Sequence, residues 1–357
     1  MAEPPLRLLI AASGTGGHLF PAVATAQQLS DLQIEWLGVP DRLETQLVPA
    51  QYPLHTIPVT GFQQRFGLGT LRILAGLVGA IFQVRRLLKR GNFQGVLTTG
   101  GYIAAPAIIA ARSLGLPAIL HESNALPGKV TRTLGPWCSA VAIGFEAAAQ
   151  YLPRARTVYV GTPVRSQFLT PQPLNLPIPE TVPLIVAMGG SQGAVGINQL
   201  VRQCAPAWFA EGAWLVHLTG NNDPDVDNLK HEHYLPLPFY DNMAGLLQRA
   251  NLAISRSGAS ALTELAVTGT PSILIPYPYA AEDHQSFNAA VFGGVGAALV
   301  FRQGELTAEV LETKVLSLLR EGEALKKMSQ MAEQLALKDS ADRLATLVRK
   351  WLQPSAR

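Results

Sequence analysis

This 357-residue sequence predicts two doubly wound α/β domains, and three observations carry that reading. Short apolar runs alternate with helix-like stretches along the chain. Two glycine-rich turns, Ser13-Gly14-Thr15-Gly16-Gly17-His18 and Gly189-Gly190-Ser191-Gln192-Gly193, each follow such a run, about half a chain apart. A proline-studded stretch lies before the second turn. Alternating strands and helices imply parallel sheets with crossover helices on both faces.

In the first half the expected strands are Leu6 to Ala12, Glu35 to Val39, His55 to Val59, Val96 to Thr99, Ala118 to His121 and Val141 to Ile143. The second half repeats the scheme with Pro183 to Met188, Trp214 to Leu218, Tyr234 to Leu237, Leu252 to Ser255 and Ser272 to Ile275. Between them, Val160-Gly161-Thr162-Pro163 and the segment Thr170 to Pro183 mark a boundary, because Pro171, Pro173, Pro177, Pro179 and Pro183 oppose regular structure. A hinge and a cleft are expected there. Leu306 to Leu319, Glu321 to Leu337 and Asp339 to Leu352 read as closing helices.

Composition narrows the class. With 48% apolar and 15% charged residues the chain can bury two ordinary cores. Cys138 and Cys204 are far apart and lack metal-ligand spacing, which argues against a disulfide framework or a zinc site and for a reducing compartment. The run Leu6 to Ala12 is too short and wrongly flanked for a signal peptide, and no stretch reaches the roughly 20 apolar residues of a spanning helix. A soluble or peripheral protein is expected. Net charge is +3 but uneven: residues 1 to 160 hold 13 Lys/Arg and 7 Asp/Glu, the remainder 15 and 18. From Glu44 to Glu122 no acidic residue intervenes, while Arg65, Arg72, Arg85, Arg86, Lys89, Arg90 and Arg112 fall in that gap. The first domain thus offers a basic face for an anionic surface.

A strand that feeds a glycine turn and then a helix aims bare backbone N–H groups and a positive dipole end at one point, which suits a phosphate. Two such cradles suggest two phosphate-bearing substrates; the plain alternative is a tight strand–helix connection. The first turn lacks the lysine of a Walker A loop and the spacing of a dinucleotide fingerprint, which weakens ATPase and dehydrogenase readings. His18 stands at the helix entrance, where an imidazole can act as a general base near neutral pH. Thr99-Gly100-Gly101-Tyr102 brings a third flexible turn and a hydroxyl to the same sheet edge, where ligands of open α/β sheets collect. His121-Glu122-Ser123-Asn124 stacks imidazole, carboxylate, hydroxyl and amide groups after the next strand, either as loop polarity or as a sugar-binding and acid–base edge. In the second half, Arg256-Ser257-Gly258-Ala259-Ser260-Ala261-Leu262-Thr263-Glu264 opens another helix. Glu264 suits ribose hydroxyls two turns in, its plainer role being a solvated helix charge. Asp283, His284, Gln285 and Asn288 add a polar cluster suited to sugar hydroxyls. No acidic metal cluster is evident, so neither a metal nor a cofactor is expected.

Leu71 to Val84 is apolar apart from Arg72 and Gln83 and ends in Arg85-Arg86-Leu87-Leu88-Lys89-Arg90. A core crossover helix explains the apolar part. With Phe62, Arg65, Phe66 and Leu68 beside it, an interfacial segment from Phe62 to Arg90 on an anionic bilayer fits better. Nucleic acid is not expected, because no binding motif accompanies the charge.

In this order the motifs resemble the MurG family, peripheral-membrane glycosyltransferases of bacterial cell-wall synthesis, essentially end to end. The marks are Gly14-Thr15-Gly16-Gly17-His18 with Pro21, Gly100-Gly101-Tyr102, His121-Glu122-Ser123-Asn124, Val160-Gly161-Thr162-Pro163-Val164-Arg165, Gly189-Gly190-Ser191-Gln192-Gly193, Arg256 to Glu264, and His284-Gln285 with Asn288-Ala289. The resemblance implies a GT-B fold, two Rossmann-like domains facing a cleft. Residues 1–163 would form the acceptor and membrane-association domain, 164–340 the UDP-N-acetylglucosamine domain, and 341–357 a helix returning toward the first. It implies UDP-N-acetylglucosamine as donor and undecaprenyl-diphosphate-linked muramyl pentapeptide as acceptor, on the cytoplasmic side of the plasma membrane, with other cell-wall enzymes as partners. Donor contacts carry over to Thr15, Gly16, Gly17, Asn124, Arg165, Ser191, Tyr240 (by its backbone), Ala259, Ser260, Ala261, Leu262, Thr263, Glu264 and Gln285. Acceptor-side candidates are Gly14, Gly100, Gly101, Tyr102 and His121. Thr131 and Thr162 stand where the family often has Asn and are given no contact.

The expected reaction is a single inverting displacement at the anomeric carbon by the muramyl C4 hydroxyl. His18 is the favoured base, with Glu122 as its rival or electrostatic partner. Arg165, Ser191 and the helix start at Ala259 would stabilise the leaving diphosphate. Alternatives on the same fold are a glycolipid glycosyltransferase, a UDP-N-acetylglucosamine 2-epimerase, or a non-catalytic UDP-sugar-binding membrane subunit.

Overall fold

The computed structural model describes residues 5–40, 43–59, 68–190 and 193–353, with backbone alone for 68–73. The chain divides into two compact units, Met1–Arg165 with Leu337–Arg357, and Ser166–Ala336.

The first unit is built on β1 (Arg7–Ala11), β2 (Gln33–Gly38), β3 (Leu54–Thr56), β4 (Gly95–Thr98), β5 (Ala118–Glu122), β6 (Ala140–Ile143) and β7 (Thr157–Tyr159). They form one parallel seven-stranded sheet in the order β3-β2-β1-β4-β5-β6-β7. Helices α1 (Gly16–Gln27), α2 (Glu44–Leu47), α3 (Leu68–Arg90), α4 (Ala104–Ser113) and α5 (Lys129–Leu134) connect them. A parallel strand covered on both faces reads as an unbroken apolar run, and Leu8, Leu9, Ile10 and Ala11 are all fully buried.

The chain's last helix, α12 (Ser340–Leu352 by the numbering of the whole chain), also belongs to this unit. Leu344, Ala345, Val348 and Leu352 join Leu19, Ala22 and Ala26 of α1 in one cluster. Gly95 makes room for it: a Cβ there would lie 2.5 Å from Leu352 Cδ2. At the rim Arg349 holds Asp31 (Nε to Oδ2, 3.0 Å) and donates to the Gln28 carbonyl at 2.6 Å. That bond holds the Asp31 carboxyl below its usual range, but the pair is largely exposed, so its net worth is small.

Helix α3 has two apolar faces. Ala80, Val84 and Leu88 are buried in the core with residues of α4. Leu74, Val78 and Phe82, spaced four apart and hence on one side of the helix, are 44%, 51% and 66% exposed. The core-helix reading thus holds for one face of this helix, and the other face is apolar and exposed. Phe62, Arg65 and Phe66 lie outside the described residues.

The second unit contains β8 (Leu184–Met188), β9 (Trp214–Leu218), β10 (Tyr234–Leu237), β11 (Leu252–Ser255), β12 (Ser272–Leu274) and β13 (Ala298–Val300). Its parallel sheet runs β10-β9-β8-β11-β12-β13. Helices α6 (Val195–Ala210), α7 (Met243–Arg249), α8 (Ala259–Thr268), α9 (His284–Val295), α10 (Ala308–Arg320) and α11 (Gly322–Gln334) complete it. The proline segment 170–183 forms no helix or strand, and its carbonyls are taken by side chains instead. Arg249 Nη2 donates to Pro179, Glu180 and Val182, and Gln248 to Thr170.

Beneath α6 runs a buried polar chain. His217 Nδ1 meets the Tyr234 hydroxyl at 2.9 Å, and its Nε2 meets Asn198 Oδ1 at 3.0 Å. The Asn198 amide donates to the Thr219 carbonyl and to Asp223, each at 2.8 Å. Asp223 in turn takes both guanidinium nitrogens of Arg202, at 2.6 and 3.0 Å. Because an amide oxygen only accepts, the imidazole proton sits on Nε2 and the tyrosine hydroxyl donates to Nδ1. Burial, with Arg202 nearby, pushes His217 down to about 4.

Two outcomes follow for stability. Leu344→Ala removes a fully buried side chain and is expected to cost about 2–5 kcal/mol, whereas Asp31→Asn costs under about 1 kcal/mol; denaturant titration compares them. Below the usual pKa of 6.5 the unfolded chain binds a proton at His217 that the folded chain refuses until about pH 4. Stability is therefore flat above that window and falls as pH drops through it, by at most about 1.4 kcal/mol per pH unit from this group. His121, also held low by burial, adds in the same direction. His217→Gln should flatten the slope between those pH values; an unchanged slope counts against a neutral His217.

Candidate functional site

In each sheet the strand order reverses once, between β1 and β4 and between β8 and β11. Ligands of open α/β sheets bind outside the carboxyl ends of the strands at that switch. The turns after β1 and β4 hold Gly14, Gly100 and Gly101, at φ of 102°, 97° and 75°. The turns after β8 and β11 hold Gly190 and Gly193, at 90° and 75°, and the start of α8. At the helices that begin here, α1, α4, α6 and α8, no side chain bonds the first-turn N–H groups and no acid occupies the first turn, among the described residues. Elsewhere α7 and α10 are capped, by Asn242 accepting from Gly245 N and Thr307 from Val310 N, while α2, α5, α9, α11 and α12 have no side-chain cap either. The uncapped starts that lie at the two switch points are the ones placed where an anion can be held.

In the first unit the His18 ring lies against the second turn. A Cβ on Gly100 would be 3.5 Å from Nε2 and one on Gly101 3.7 Å from Cε1, so the turn runs flat over the imidazole. Thr99 Oγ1 donates to the His18 carbonyl at 2.8 Å and fixes the helix entrance. Phe20 fills the space left by Gly16, where a Cβ would be 2.7 Å from the ring. The Arg165 guanidinium lies 4.4 Å above the same ring. A cation at this distance is attracted to the aromatic face, which holds Arg165 beside the glycine turn in the first unit. Thr15 is exposed, Gly17 half-buried, and Tyr102 45% exposed.

Gly14 corrects one expectation. Its N–H is not an open donor, because the buried Glu44 carboxylate takes it at 3.3 Å and the Val39 N–H at 2.6 Å. The first cradle therefore starts at Thr15 and Gly16. Glu122 is likewise occupied: Oε1 accepts from Asn124 N and Nδ2 (3.0 and 3.1 Å), and Oε2 from Gly128 N (3.0 Å) and Thr131 Oγ1 (2.6 Å). Four donors on a buried carboxylate make it the organiser of the 123–131 loop. His121 is fully buried, with Nε2 donating to the Gly161 carbonyl at 2.8 Å; burial holds it neutral, with a further downward push from His18. Thr131 is engaged with Glu122 and Thr162 is buried at 3% exposure, so neither offers a surface contact.

In the second unit, α8 presents the N–H groups of Ala259, Ser260 and Ala261. Leu262 and Thr263 are corrections: Leu262 is fully buried with its N–H on the Gly258 carbonyl, and the Thr263 hydroxyl bonds back to Ala259. Glu264 is half-buried two turns in, and long helical side chains lean toward the N-terminus. Arg256 is a strut, donating to the carbonyls of Ile275 and Pro276 (3.0 Å each) and to Gln303 (2.6 Å). It fixes the loop after β12, where Gln285 Oε1 accepts from Tyr277 N at 2.9 Å and the Ser257 hydroxyl donates to the Gln285 carbonyl at 2.8 Å. Asn288 donates to the Ser257 carbonyl at 3.1 Å. Tyr240, half-buried, follows β10. Ser191 lies outside the described residues. Among the described residues no group of three or more His, Cys, Asp or Glu is arranged to hold a metal ion.

Sequence reasoning missed Phe20, Glu44 and the Asn198–His217 pair. Phe20 had a local signal, one helical turn from Gly16; Glu44 acts on Gly14 from 30 residues away and had none.

Residues 8–143 match the glycosyltransferase family 28 N-terminal domain and residues 184–344 its C-terminal domain. A UDP-N-acetylglucosamine–N-acetylmuramyl-(pentapeptide) pyrophosphoryl-undecaprenol N-acetylglucosamine transferase of Nostoc sp. is 69% identical over 98% of this chain and 99% of its own length. The protein of the same name from Trichodesmium erythraeum is 65% identical over 99% and 94%. The crystal structure of Acinetobacter baumannii MurG is 29% identical with a TM-score of 0.76, covering 97% of this chain and 100% of that one. A putative UDP-N-acetylglucosamine 2-epimerase of Listeria monocytogenes, 15% identical at a TM-score of 0.71 over 97% and 96%, shares the fold alone. Matches to both family domains and end-to-end identity of this degree place the chain in glycosyltransferase family 28, among the N-acetylglucosamine transferases that share the Nostoc protein's name.

Proposed function

We propose that this chain transfers N-acetylglucosamine from UDP-N-acetylglucosamine to the C4 hydroxyl of an undecaprenyl-diphosphate-linked muramyl pentapeptide, with inversion. The observation that carries the reading is the pair of switch points, each ringed by glycine turns and uncapped helix starts, in a chain 69% identical to a transferase named for that reaction. Each switch suits one diphosphate. The second unit takes the donor through Ser191, the α8 start, Glu264 on the ribose hydroxyls, Gln285 on the sugar, and the Tyr240 backbone. The first takes the acceptor beside Gly100, Gly101 and Tyr102, and its candidate nucleotide-sugar contacts are Thr15, Gly16, Gly17, Asn124 and Arg165.

His18 is the base. Its imidazole accepts the C4 hydroxyl proton as the oxygen bonds to the anomeric carbon, and the bond from that carbon to the diphosphate oxygen breaks with its electron pair going to UDP. Fixed N–H dipoles and the Arg165 cation stabilise the departing charge. Glu122 supports the site by holding the 123–131 loop, both of its oxygens already engaged by that loop's four donors. His121 stays neutral behind it.

The reading extends to the membrane. No helix among the described residues is long and apolar enough to cross one. The exposed Leu74, Val78 and Phe82 stripe, followed on the same helix by Arg85, Arg86, Lys89 and Arg90, suits an anionic bilayer surface at the cytoplasmic face, where a polyprenyl-linked acceptor is anchored.

The purified chain, given labelled UDP-N-acetylglucosamine and the lipid-linked muramyl pentapeptide, is expected to move label into the lipid phase. Free N-acetylmannosamine, or transfer to diacylglycerol, would favour the alternatives on this fold, and no turnover by the chain alone would favour a binding subunit. In the same assay His18→Ala should lower turnover about 100- to 10,000-fold and keep UDP affinity, while Glu264→Ala should chiefly raise the donor KM. Near-normal turnover of the first variant removes the base assignment, and unchanged KM of the second its ribose role. For the membrane face, Val78→Glu with Phe82→Glu should weaken sedimentation with anionic vesicles by about tenfold or more, given about 1.5–3 kcal/mol per buried apolar side chain; undiminished binding rejects the interfacial role.

A further inference from the structure

Gly193, which leads into α6, rests on backbone that the reaction chemistry does not touch. A Cβ on Gly193 would lie 2.1 Å from the Thr219 carbonyl oxygen, 2.9 Å from its carbon and 3.0 Å from Gly220 Cα. The turn's last residue is therefore seated directly on the backbone that leaves β9. That same carbonyl accepts the Asn198 amide at 2.8 Å, and Asn198 N–H bonds to the Ala194 carbonyl at 2.8 Å, in the first turn of α6. One side chain thus ties the end of β9 to the helix start that follows the turn.

Asn198 has no donor to spare. Its two N–H groups go to Thr219 and Asp223, and its oxygen takes the proton of His217 Nε2. His217 is fully buried, and its other nitrogen is fixed by the Tyr234 hydroxyl. Charge is settled one residue further on, where the Arg202 guanidinium embraces Asp223 with both nitrogens. A protonated His217 would offer a second donor to a tyrosine oxygen that now donates to it, and an asparagine turned by half a circle would face the Thr219 carbonyl with its own oxygen. Only one arrangement satisfies every atom, which makes the chain a rigid support.

We propose that Asn198 and His217 are positioning residues for the donor diphosphate, holding the Thr219 carbonyl so that Gly193 and the α6 N-terminus stand in their binding geometry. They do not touch the nucleotide. The inference rests on the donor reading above. A turn displaced equally for bound substrate and transition state loses affinity and keeps its rate constant, so the effect falls on KM.

The test uses the full chain, UDP as calorimetric probe, UDP-N-acetylglucosamine turnover, and assays well below the unfolding temperature of each variant. His217→Phe and Asn198→Ala each leave buried polar groups unpaired and are expected to weaken UDP binding and raise donor KM by about tenfold, with kcat within about threefold. His217→Gln, which keeps a donor toward Asn198, should restore both to within about threefold of the parent chain. UDP binding and KM within twofold of the parent in folded His217→Phe and Asn198→Ala overturn the proposal. If both variants fail to fold, the parent decides: on saturation with UDP its His217 imidazole resonances, assigned through His217→Gln, are expected to shift, and unchanged resonances overturn it. Failure of the parent chain to bind UDP would overturn the donor reading itself, and binding retained in full by the variants only this inference.

Discussion

A backbone N–H at the start of a helix needs an acceptor, and this chain withholds one at the places where its two sheets reverse direction. Each of α1, α6 and α8 opens on a residue without a capping bond, Thr15, Ala194 and Gly258, although the same chain spends an asparagine and a threonine to cap α7 and α10. A side-chain cap is worth about 1 kcal/mol, so the deficit is a recurring cost in the free protein that an anion removes on binding. Glycines at positive φ next to these starts let the chain leave the strand sharply and keep side chains out of the approach. Everything else at the two edges supports this geometry.

The supports differ in charge. The first unit uses carboxylates: Glu44 fixes Gly14 and Val39, and Glu122 gathers four donors from the 123–131 loop. The second unit uses amides, an imidazole and arginine, and the buried carboxylate of Asp223 is matched by Arg202. A bare carboxylate beside a diphosphate repels it, so neutral or compensated supports suit the unit assigned the nucleotide. In the first unit Glu44 and Glu122 lie against their own N–H donors, and the cation of Arg165 stacks on Phe20.

The architecture was largely legible because buried parallel strands are apolar on both faces and announce themselves as runs. The strands overlooked, β7 and β13, are three residues long and lie at sheet edges, too short to stand out as strands. The glycine turns marked the carboxyl edge of each sheet at its switch point. What the sequence could not say is which donors there are already taken, since Glu44 reaches Gly14, and His217 reaches Asn198, across the fold. The same holds for α8, where six consecutive candidates divide by helical position: three N–H groups and one carboxylate remain, while Leu262 turns into the core and Thr263 onto its own helix. For α3, the apolar run concealed that one helix has a buried and an exposed face, because both are apolar.

The loop before α9 shows what the supports are for. Glu282 and Asp283 both adopt left-handed backbone, at φ of 54° and 56°, which costs about 1–3 kcal/mol each where side chains are present. The strain is held by bonds on every side: Ser286 Oγ to the Asp283 carboxylate, His284 Nδ1 to the Ala281 carbonyl, Tyr277 N–H to Gln285, and Ser257 to the Gln285 carbonyl. Ser257 immediately precedes the α8 start, so the residue assigned to the sugar and the N–H groups assigned to the diphosphate are fixed to the same few backbone atoms. A loop that had to find this conformation on binding would spend affinity on ordering itself. One already strained into place leaves that free energy to the contacts, and Arg256, clamped on the Ile275 and Pro276 carbonyls, prevents its relaxation from the other end.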